Sequence, residues 1–181
     1  MNQLMTQTKR SFIDKLMSVY YRRKLGLKGN SVMFDSVVHL MRYPRNIRLG
    51  SNVYLKFNAR LCPCNETAEI AIGNRTTIGY NTLVFASESI KIGKDCMIAP
   101  NVYLVDSDHG SELGTNMNAQ ANVVDPIVVE DDVWIGTGAV ILKGARIAKG
   151  CIIAANSVVK DCPEPHSIYA GAPAKRVGRR K

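Results

Sequence analysis

The 181-residue sequence is poor in aromatic residues and has no long apolar run. Aromatics make up 7% of the chain, with one tryptophan, although hydrophobic residues reach 46%. The core is therefore expected to consist of small aliphatic side chains. No apolar run approaches the ~20 residues of a membrane-spanning helix, and the stretch MNQLMTQTKRSF lacks the apolar segment of a secretion signal. We expect a cytoplasmic protein with one sizeable core.

Cysteine and histidine are too few and too scattered to suggest a metal centre. The five cysteines are odd in number, which favours reduced thiols in a chain without an export signal. Cys96 and Cys151 occupy small-residue positions of the repeat described below, which indicates core filling. No second Cys or His pair has zinc-ligand spacing, so no metal is expected.

The net charge of +9 is concentrated at the two ends of the chain. Residues 1–46 hold nine Lys and Arg against two Asp, and residues 172–181 hold five Lys and Arg without an acid. Basic ends of this kind can meet phosphate groups, anionic lipid or nucleic acid. Because they lack interleaved aromatics and any known nucleic-acid module, we expect no nucleic-acid partner.

An aliphatic residue recurs at intervals of six through most of the chain. Six is a multiple of the strand period of two and not of the helical period of 3.6, so short strands are predicted. The recurring aliphatics are Leu49, Leu55, Leu61, Ile72, Ile78, Val84, Ile90, Ile92, Ile98, Leu104, Val129, Ile135, Ile141, Ile147, Ile153 and Val159.

Three residues after most of these aliphatics stands Asn, Asp or Gly, the residue types that tolerate positive φ. Each unit is therefore predicted to be a short strand followed by a corner, and three units close a triangular coil of 18 residues. Stacked coils bury a continuous aliphatic column, and about five coils fit between residues 47 and 162. The predicted corner residues are Asn52, Asn58, Asn81, Asp95, Asn101, Asp132, Gly138, Gly144, Gly150 and Asn156.

Three regions depart from the repeat and suggest a division of the chain. Residues 8–25 read as a basic amphipathic helix, which either caps the open end of the solenoid or rests on a membrane surface. The polar stretch at about 107–126 predicts a protruding loop. We expect an N-terminal helical and basic cap segment at 1–46, a solenoid domain at 47–165 and a basic tail at 166–181.

His109 is the histidine best placed for chemistry. It opens the polar loop in the stretch VDSDHG, directly after a coil ends at Leu104. An imidazole exposed there has a pKa suited to proton transfer at neutral pH. An ordinary loop histidine is the alternative. Asp106 or Asp108 could orient the ring, or both could be turn residues.

The repeat resembles the hexapeptide-repeat acyltransferases, whose fold is a left-handed parallel β-helix. The stretches APNVYLVDSDHG, VWIGTGAVILKGARI and YAGAPAKRVGRR are similar to the maltose, galactoside and capsule O-acetyltransferase branch. This resemblance implies a homotrimer with sites between neighbouring prisms, acetyl-CoA as co-substrate and His109 as general base. The implied acceptor is a sugar hydroxyl of a surface polysaccharide, of lipopolysaccharide or capsule, or of its precursor.

The same resemblance implies residues for both substrates. The sugar-binding position falls near Asn81 or near Ser87 and Glu88, and Asn81 also fits the corner position. The basic N-terminus leaves room for peripheral contact with the inner face of a membrane. The residues implied for coenzyme A are Trp134, Gly136, Thr137, Ala154, Ala155, Lys160, Lys175 and Arg176.

Other functions are compatible with the same prism. An amino-sugar N-acetyltransferase, a serine acetyltransferase and an antibiotic-inactivating enzyme share the expected fold, and the polar loop favours a hydroxylated acceptor. A γ-class carbonic anhydrase needs three histidines on one zinc, two of them close in sequence, and this chain has no such pair. A non-catalytic solenoid would give neither His109 nor the loop a purpose.

Overall fold

A computed structural model describes residues 11–181, which form one α-helix and a parallel β-helix of three walls. The chain passes along the three walls in turn, so strands one coil apart pair in parallel. Ile78 lies opposite Ile98, and Ile98 lies opposite Ile135. The second step is longer in sequence because the polar loop intervenes. The winding is left-handed, as the resemblance implied.

The helix α1 spans Phe12–Lys24, and the strands of the walls are named in chain order. The first wall holds β1 Leu27–Lys28, β4 Ile47–Leu49, β7 Glu69–Ile72, β10 Ser89–Ile92, β15 Ile127–Val129 and β18 Arg146–Ile147. The second wall holds β2 Met33–Phe34, β5 Tyr54–Leu55, β8 Thr77–Ile78, β11 Met97–Ile98, β16 Trp134–Ile135, β19 Ile152–Ile153, β21 Ser167–Ala170 and β22 Lys175–Arg179. The third wall holds β3 His39–Leu40, β6 Arg60–Pro63, β9 Leu83–Ala86, β12 Tyr103–Val105, β17 Val140–Ile141 and β20 Val158–Val159. A separate pair is formed by β13 Ser107–Asp108 and β14 Val123–Val124, and 3-10 turns span Pro44–Asn46 and Met117–Ala119.

The predicted repeat is confirmed at its inward and corner positions. Every predicted inward aliphatic is buried. All ten predicted corner residues have positive φ, between 56° and 74°. Asn, Asp and Gly adopt this left-handed conformation at little cost, so they mark where the chain turns.

The solenoid extends beyond the predicted bounds at both ends. Five coils lie between residues 47 and 162 as expected, and β1–β3 add a sixth coil before them. The corners of that first coil are Ser31 and Arg42, with φ of 54° and 51°. Neither residue type signals a corner, which hid the coil in the sequence. After residue 165, β21 and β22 extend the second wall through Arg179.

The N-terminal helix α1 covers the first coil. It begins at a capping box in which Ser11 and Asp14 exchange side-chain and backbone hydrogen bonds. Ser18 Oγ accepts from the Phe34 N–H at 3.2 Å, and the Tyr21 hydroxyl accepts from the Val38 N–H at 3.1 Å. The helix therefore caps the core, as one of the two alternatives proposed. Residues 8–10 of the predicted helix lie outside the described residues.

Cys96 and Cys151 are fully buried, which confirms that they fill the core. Their thiols donate to the backbone carbonyls of Glu130 and Glu164, each at 3.1 Å. Burial raises the pKa of Cys96 to about 11, so this thiol stays protonated at neutral pH.

Candidate active site

The predicted polar loop is a hairpin that leaves the solenoid at the end of the third wall. The strands β13 and β14 pair antiparallel at its base. The Gln120 side chain ties its tip, because Nε2 donates to the backbone carbonyls of Glu112 and Thr115 at 2.9 and 2.8 Å. His109 follows β13 directly and is therefore held at the base of a tied hairpin.

His109 is exposed and borders a cavity of about 390 Å³. Within residues 11–181, no hydrogen bond holds its imidazole. The ring nitrogens can therefore contact a ligand that enters the cavity from solvent. The other lining residues are Phe85, Tyr103, Val105, Ser107, Asp108 and Asn122.

Neither candidate aspartate orients His109. The carboxylate of Asp106 is fully buried and accepts backbone N–H groups of residues 87–89 at 2.6 to 2.9 Å. Its bonding capacity is used to fix the corner of the preceding coil. Asp108 Oδ2 lies 3.8 Å from Lys143 Nζ at the surface. Of the two alternatives, these contacts favour the one in which both aspartates are turn residues.

Of the predicted sugar-binding residues, Ser87 and Glu88 lie at the same corner of the prism as His109, and Asn81 does not. Ser87 Oγ donates to Ser107 Oγ at 2.8 Å, which brings it to the edge of the cavity. Glu88 is exposed beside it. Asn81 occupies the corner between the second and third walls, where its Oδ1 accepts from Asn58 Nδ2 at 2.8 Å. This contact gives Asn81 a structural role away from the cavity.

Trp134 is half-exposed on the second wall and lines an apolar groove of about 310 Å³. Lys56 lies at the groove with its ammonium 4.0 Å from the Tyr54 ring centroid. Burial lowers the pKa of Lys56, and nearby Asp35 opposes that shift. The remaining lining residues are Thr77, Gly79, Tyr80, Met97, Ile98, Ala99 and Pro100.

Four predicted cofactor residues lie along one edge of the second wall, next to this groove. A Cβ on Gly136 would lie 2.6 Å from the backbone nitrogen of Ala155, so close stacking of the coils requires glycine there. Thr137 Oγ1 donates to the Pro100 carbonyl at 2.8 Å. Ala154 donates its N–H to the next coil. The small residues are thus explained partly by packing, and they leave the edge accessible.

The predicted cations fall in two places. Lys175 and Arg176 lie on β22, three strands from Trp134 on the same wall, or about 14 Å away at the usual strand spacing. Arg176 Nε bonds Ser167 Oγ at 3.1 Å and also pairs with an acidic side chain, while Lys175 is exposed. Lys160 instead follows β20 at the corner that holds His109.

Several residues of these two sites were missed in the sequence. Phe85 and Tyr103 line the His109 cavity, and Arg180, whose Nη1 lies 2.6 Å from Asp132 Oδ2, lies beside Trp134. Burial raises the pKa of Tyr103, so its hydroxyl stays protonated. Phe85 and Tyr103 could have been found from the sequence. Each adjoins an inward aliphatic and therefore faces outward, which is notable in a chain with few aromatic rings.

Comparison with known proteins places the chain among hexapeptide-repeat proteins. The family described as bacterial transferase hexapeptide (six repeats) matches residues 126–161, and the hexapeptide repeat of succinyl-transferase matches residues 69–105. WbbJ of Escherichia coli, named as a candidate O-acetyl transferase of lipopolysaccharide biosynthesis, is 32% identical over 96 residues, which cover 49% of each chain. The chain spans about half the length of the curated relatives it matches.

Two solved structures share the fold. AntD, an N-acyltransferase of Bacillus cereus in complex with dTDP and coenzyme A, matches with a TM-score of 0.79 and 18% identity, over 91% of this chain and 89% of that one. A maltose O-acetyltransferase of Clostridium difficile matches with a TM-score of 0.68 and 22% identity, over 99% and 82%. With its repeat, its three-walled prism and these matches, the chain shares the left-handed β-helix fold and the repeat pattern of the hexapeptide-repeat transferases.

Proposed function

We propose that this protein is an acetyl-CoA-dependent O-acetyltransferase with His109 as its general base. The acceptor is a sugar hydroxyl of a surface polysaccharide, of lipopolysaccharide or capsule, or of its precursor. The observation that carries the proposal is the exposed imidazole beside a cavity, in a chain whose repeats match those of transferases. Similarity to a named O-acetyl transferase of lipopolysaccharide biosynthesis supports the choice of acceptor.

The chemistry requires little more than a positioned base. Acetyl-CoA supplies an activated thioester with a good leaving thiolate. His109 takes the proton of the acceptor hydroxyl while that oxygen attacks the thioester carbonyl carbon. The C–S bond then breaks, and the imidazolium returns the proton to the leaving thiolate. Proton removal of this kind contributes about 10²–10⁴-fold to the rate.

The lining of the His109 cavity suits a sugar ring. Phe85 and Tyr103 offer flat apolar surface, while Asn122, Ser107 and the protonated Tyr103 hydroxyl offer hydrogen bonds. Ligand pockets typically combine mostly apolar walls with a few placed polar groups. Ser87 donates a hydrogen bond to the lining residue Ser107 and so helps to fix the polar side of the cavity.

The second wall suits the donor. The apolar groove beside Trp134 can hold a linear pantetheine arm, and the small residues from Gly136 to Ala155 let it approach the wall. Lys175, with Arg176 nearby, supplies positive charge for the phosphates. Lys160 serves the same purpose from the His109 corner.

The two half-sites lie on different walls of one prism, which favours an active site shared between subunits. In a homotrimer, His109 of one protomer would face the Trp134 wall of the next. Closed cyclic symmetry repeats such a contact at every interface. We expect three equivalent sites, none of them complete in a single chain.

The primary experiment measures coenzyme A release with acetyl-CoA and a panel of sugars and sugar nucleotides. His109→Ala should lower the turnover number by about 10²–10⁴-fold. His39→Ala is the matched control, because His39 is also exposed but lies on β3 of the first coil. Near-full activity of His109→Ala would remove the imidazole from the reaction. Trp134→Ala should mainly raise the KM for acetyl-CoA.

Transfer to a sugar amine is the second candidate. AntD, which shares the fold, was also crystallised with dTDP-4-amino-4,6-dideoxyglucose. Amino sugars therefore belong in the panel. Hydroxylamine cleaves an acetyl ester and leaves an acetamide intact, so treatment of the product separates O- from N-transfer.

Mixed trimers test whether the site is shared. Co-expression of His109→Ala and Trp134→Ala chains should rebuild about a quarter of the sites, because some interfaces then receive both native residues. The activity should be assayed at low acetyl-CoA, where Trp134→Ala alone is slow. Activity no higher than the average of the two parents would mean that both residues serve a site within one chain.

A further inference from the structure

The helix α1 has an apolar face that turns away from the solenoid. Phe12 is 80% exposed, Leu16 60% and Val19 52%, and Ile13 and Tyr20 are about half exposed or more. At 100° per residue these five side chains share one side of the helix. The opposite side carries Ser18, Tyr21 and the other residues that pack on the first coil. Capping the first coil uses only the inward side of the helix, so it does not explain why the outward side is apolar.

The charges around this face have one sign. Lys15, Arg23 and Lys24 are exposed on the outward half of the helix, and Lys24 Nζ lies 4.5 Å from the Tyr20 ring centroid. Asp14 is the only acidic residue of the helix, and it is engaged by Ser11 in the capping box on the inward side. An apolar stripe flanked by cations is typical of helices that lie in the plane of an anionic membrane.

We propose that α1 docks this protein on a membrane surface rich in anionic lipid, with Phe12, Leu16 and Val19 inserted at the level of the headgroups. A helix of this kind lies on the bilayer and does not cross it, and no helix within residues 11–181 is both long and apolar enough to span one. Lys15 and Lys24 border the stripe and Arg23 lies at its C-terminal end, where long side chains can reach lipid phosphates while their stems cover apolar surface. This docking is independent of acetyl transfer.

The experiment is co-sedimentation of the full chain with vesicles of phosphatidylcholine, alone or mixed with phosphatidylglycerol. Binding is expected only to the mixed vesicles and should weaken as salt is raised. The double variant Arg23→Gln and Lys24→Gln should bind about 25-fold more weakly, since each cation near an anionic leaflet contributes about fivefold. Its control is Lys91→Gln with Lys149→Gln, which removes the same charge from exposed residues outside the helix.

The apolar contribution is tested by Leu16→Ser, which should weaken binding by about tenfold or more. Leu113→Ser is the matched control, because Leu113 is a fully exposed leucine at the tip of the hairpin. Equal binding to both kinds of vesicle, or an equal loss in Leu113→Ser, would overturn the proposal. The proposal would also be overturned if the protein did not bind vesicles but self-associated, and if Leu16→Ser abolished that self-association. The apolar face would then contact a second copy of the chain.

Discussion

Replacing Asp106 by alanine tests how the corner beside His109 is held. Asp106 is fully buried. Its carboxylate accepts hydrogen bonds from the backbone N–H groups of Ser87 at 2.6 Å, Glu88 at 2.9 Å and Ser89 at 2.8 Å. The alanine variant leaves three backbone donors without an acceptor. Each loss costs about 1–3 kcal/mol. Since water can reach the exposed Glu88, we expect a total of about 3–4 kcal/mol.

Urea unfolding of the purified protein measures this cost. Thermal unfolding gives a second measurement. At about 2–4 °C per kcal/mol for a chain of this size, the melting temperature should fall by roughly 10 °C. Asp108→Ala is the control, because Asp108 is exposed and makes one ion pair at 3.8 Å, worth about 0.5 kcal/mol or less. If Asp106→Ala costs no more than Asp108→Ala, the buried carboxylate does not hold the corner.

Two further predictions concern the core. Unfolding free energy should fall as pH rises above about 9, because burial raises the pKa of Cys96 to about 11 and of Cys162 to about 12, against an ordinary value of 9.0. The unfolded chain then loses thiol protons that the native chain keeps, at up to about 1.4 kcal/mol per pH unit for each thiol. Urea titrations at pH 8 and pH 10 measure the slope, which Cys96→Ala should reduce; a flat profile would contradict the assignment. Gly136→Ala should cost about 2–3 kcal/mol, because its Cβ would meet the next coil at 2.6 Å. Gly114→Ala, at φ +91° with open space around it, should cost about 1 kcal/mol by strain alone, and similar melting temperatures would refute the packing argument.

The prism could be predicted from the repeat because the repeat reflects the conformational preferences of residues close together in the sequence. An aliphatic at every sixth position selects the inward side of each strand, and Asn52, Asp95 or Gly138 three residues later selects the turn. Both preferences act within a few residues and need no knowledge of the rest of the chain. The first coil was missed for the same reason, since Ser31 and Arg42 turn the chain without a local signal.

The outward residues of the site were less predictable. Alternation places Phe85 and Tyr103 on the outer face of the third wall, but the hairpin decides that they line a cavity with His109. Asn81 and Ser87 are close in sequence, yet they lie at different corners because a strand separates them. Sequence distance along a coil does not report distance between corners.

The sequence by itself therefore determined the prism, its corners, its aliphatic column and the exposed histidine at the start of the hairpin. Only the tertiary structure decided which residues meet across coils: Ser87 with Ser107, Asp106 with the preceding corner, and β22 with the Trp134 wall. The reason is geometric. Local spacing sets the direction of each side chain, whereas neighbours in adjacent coils depend on the length of everything between them, including an inserted hairpin.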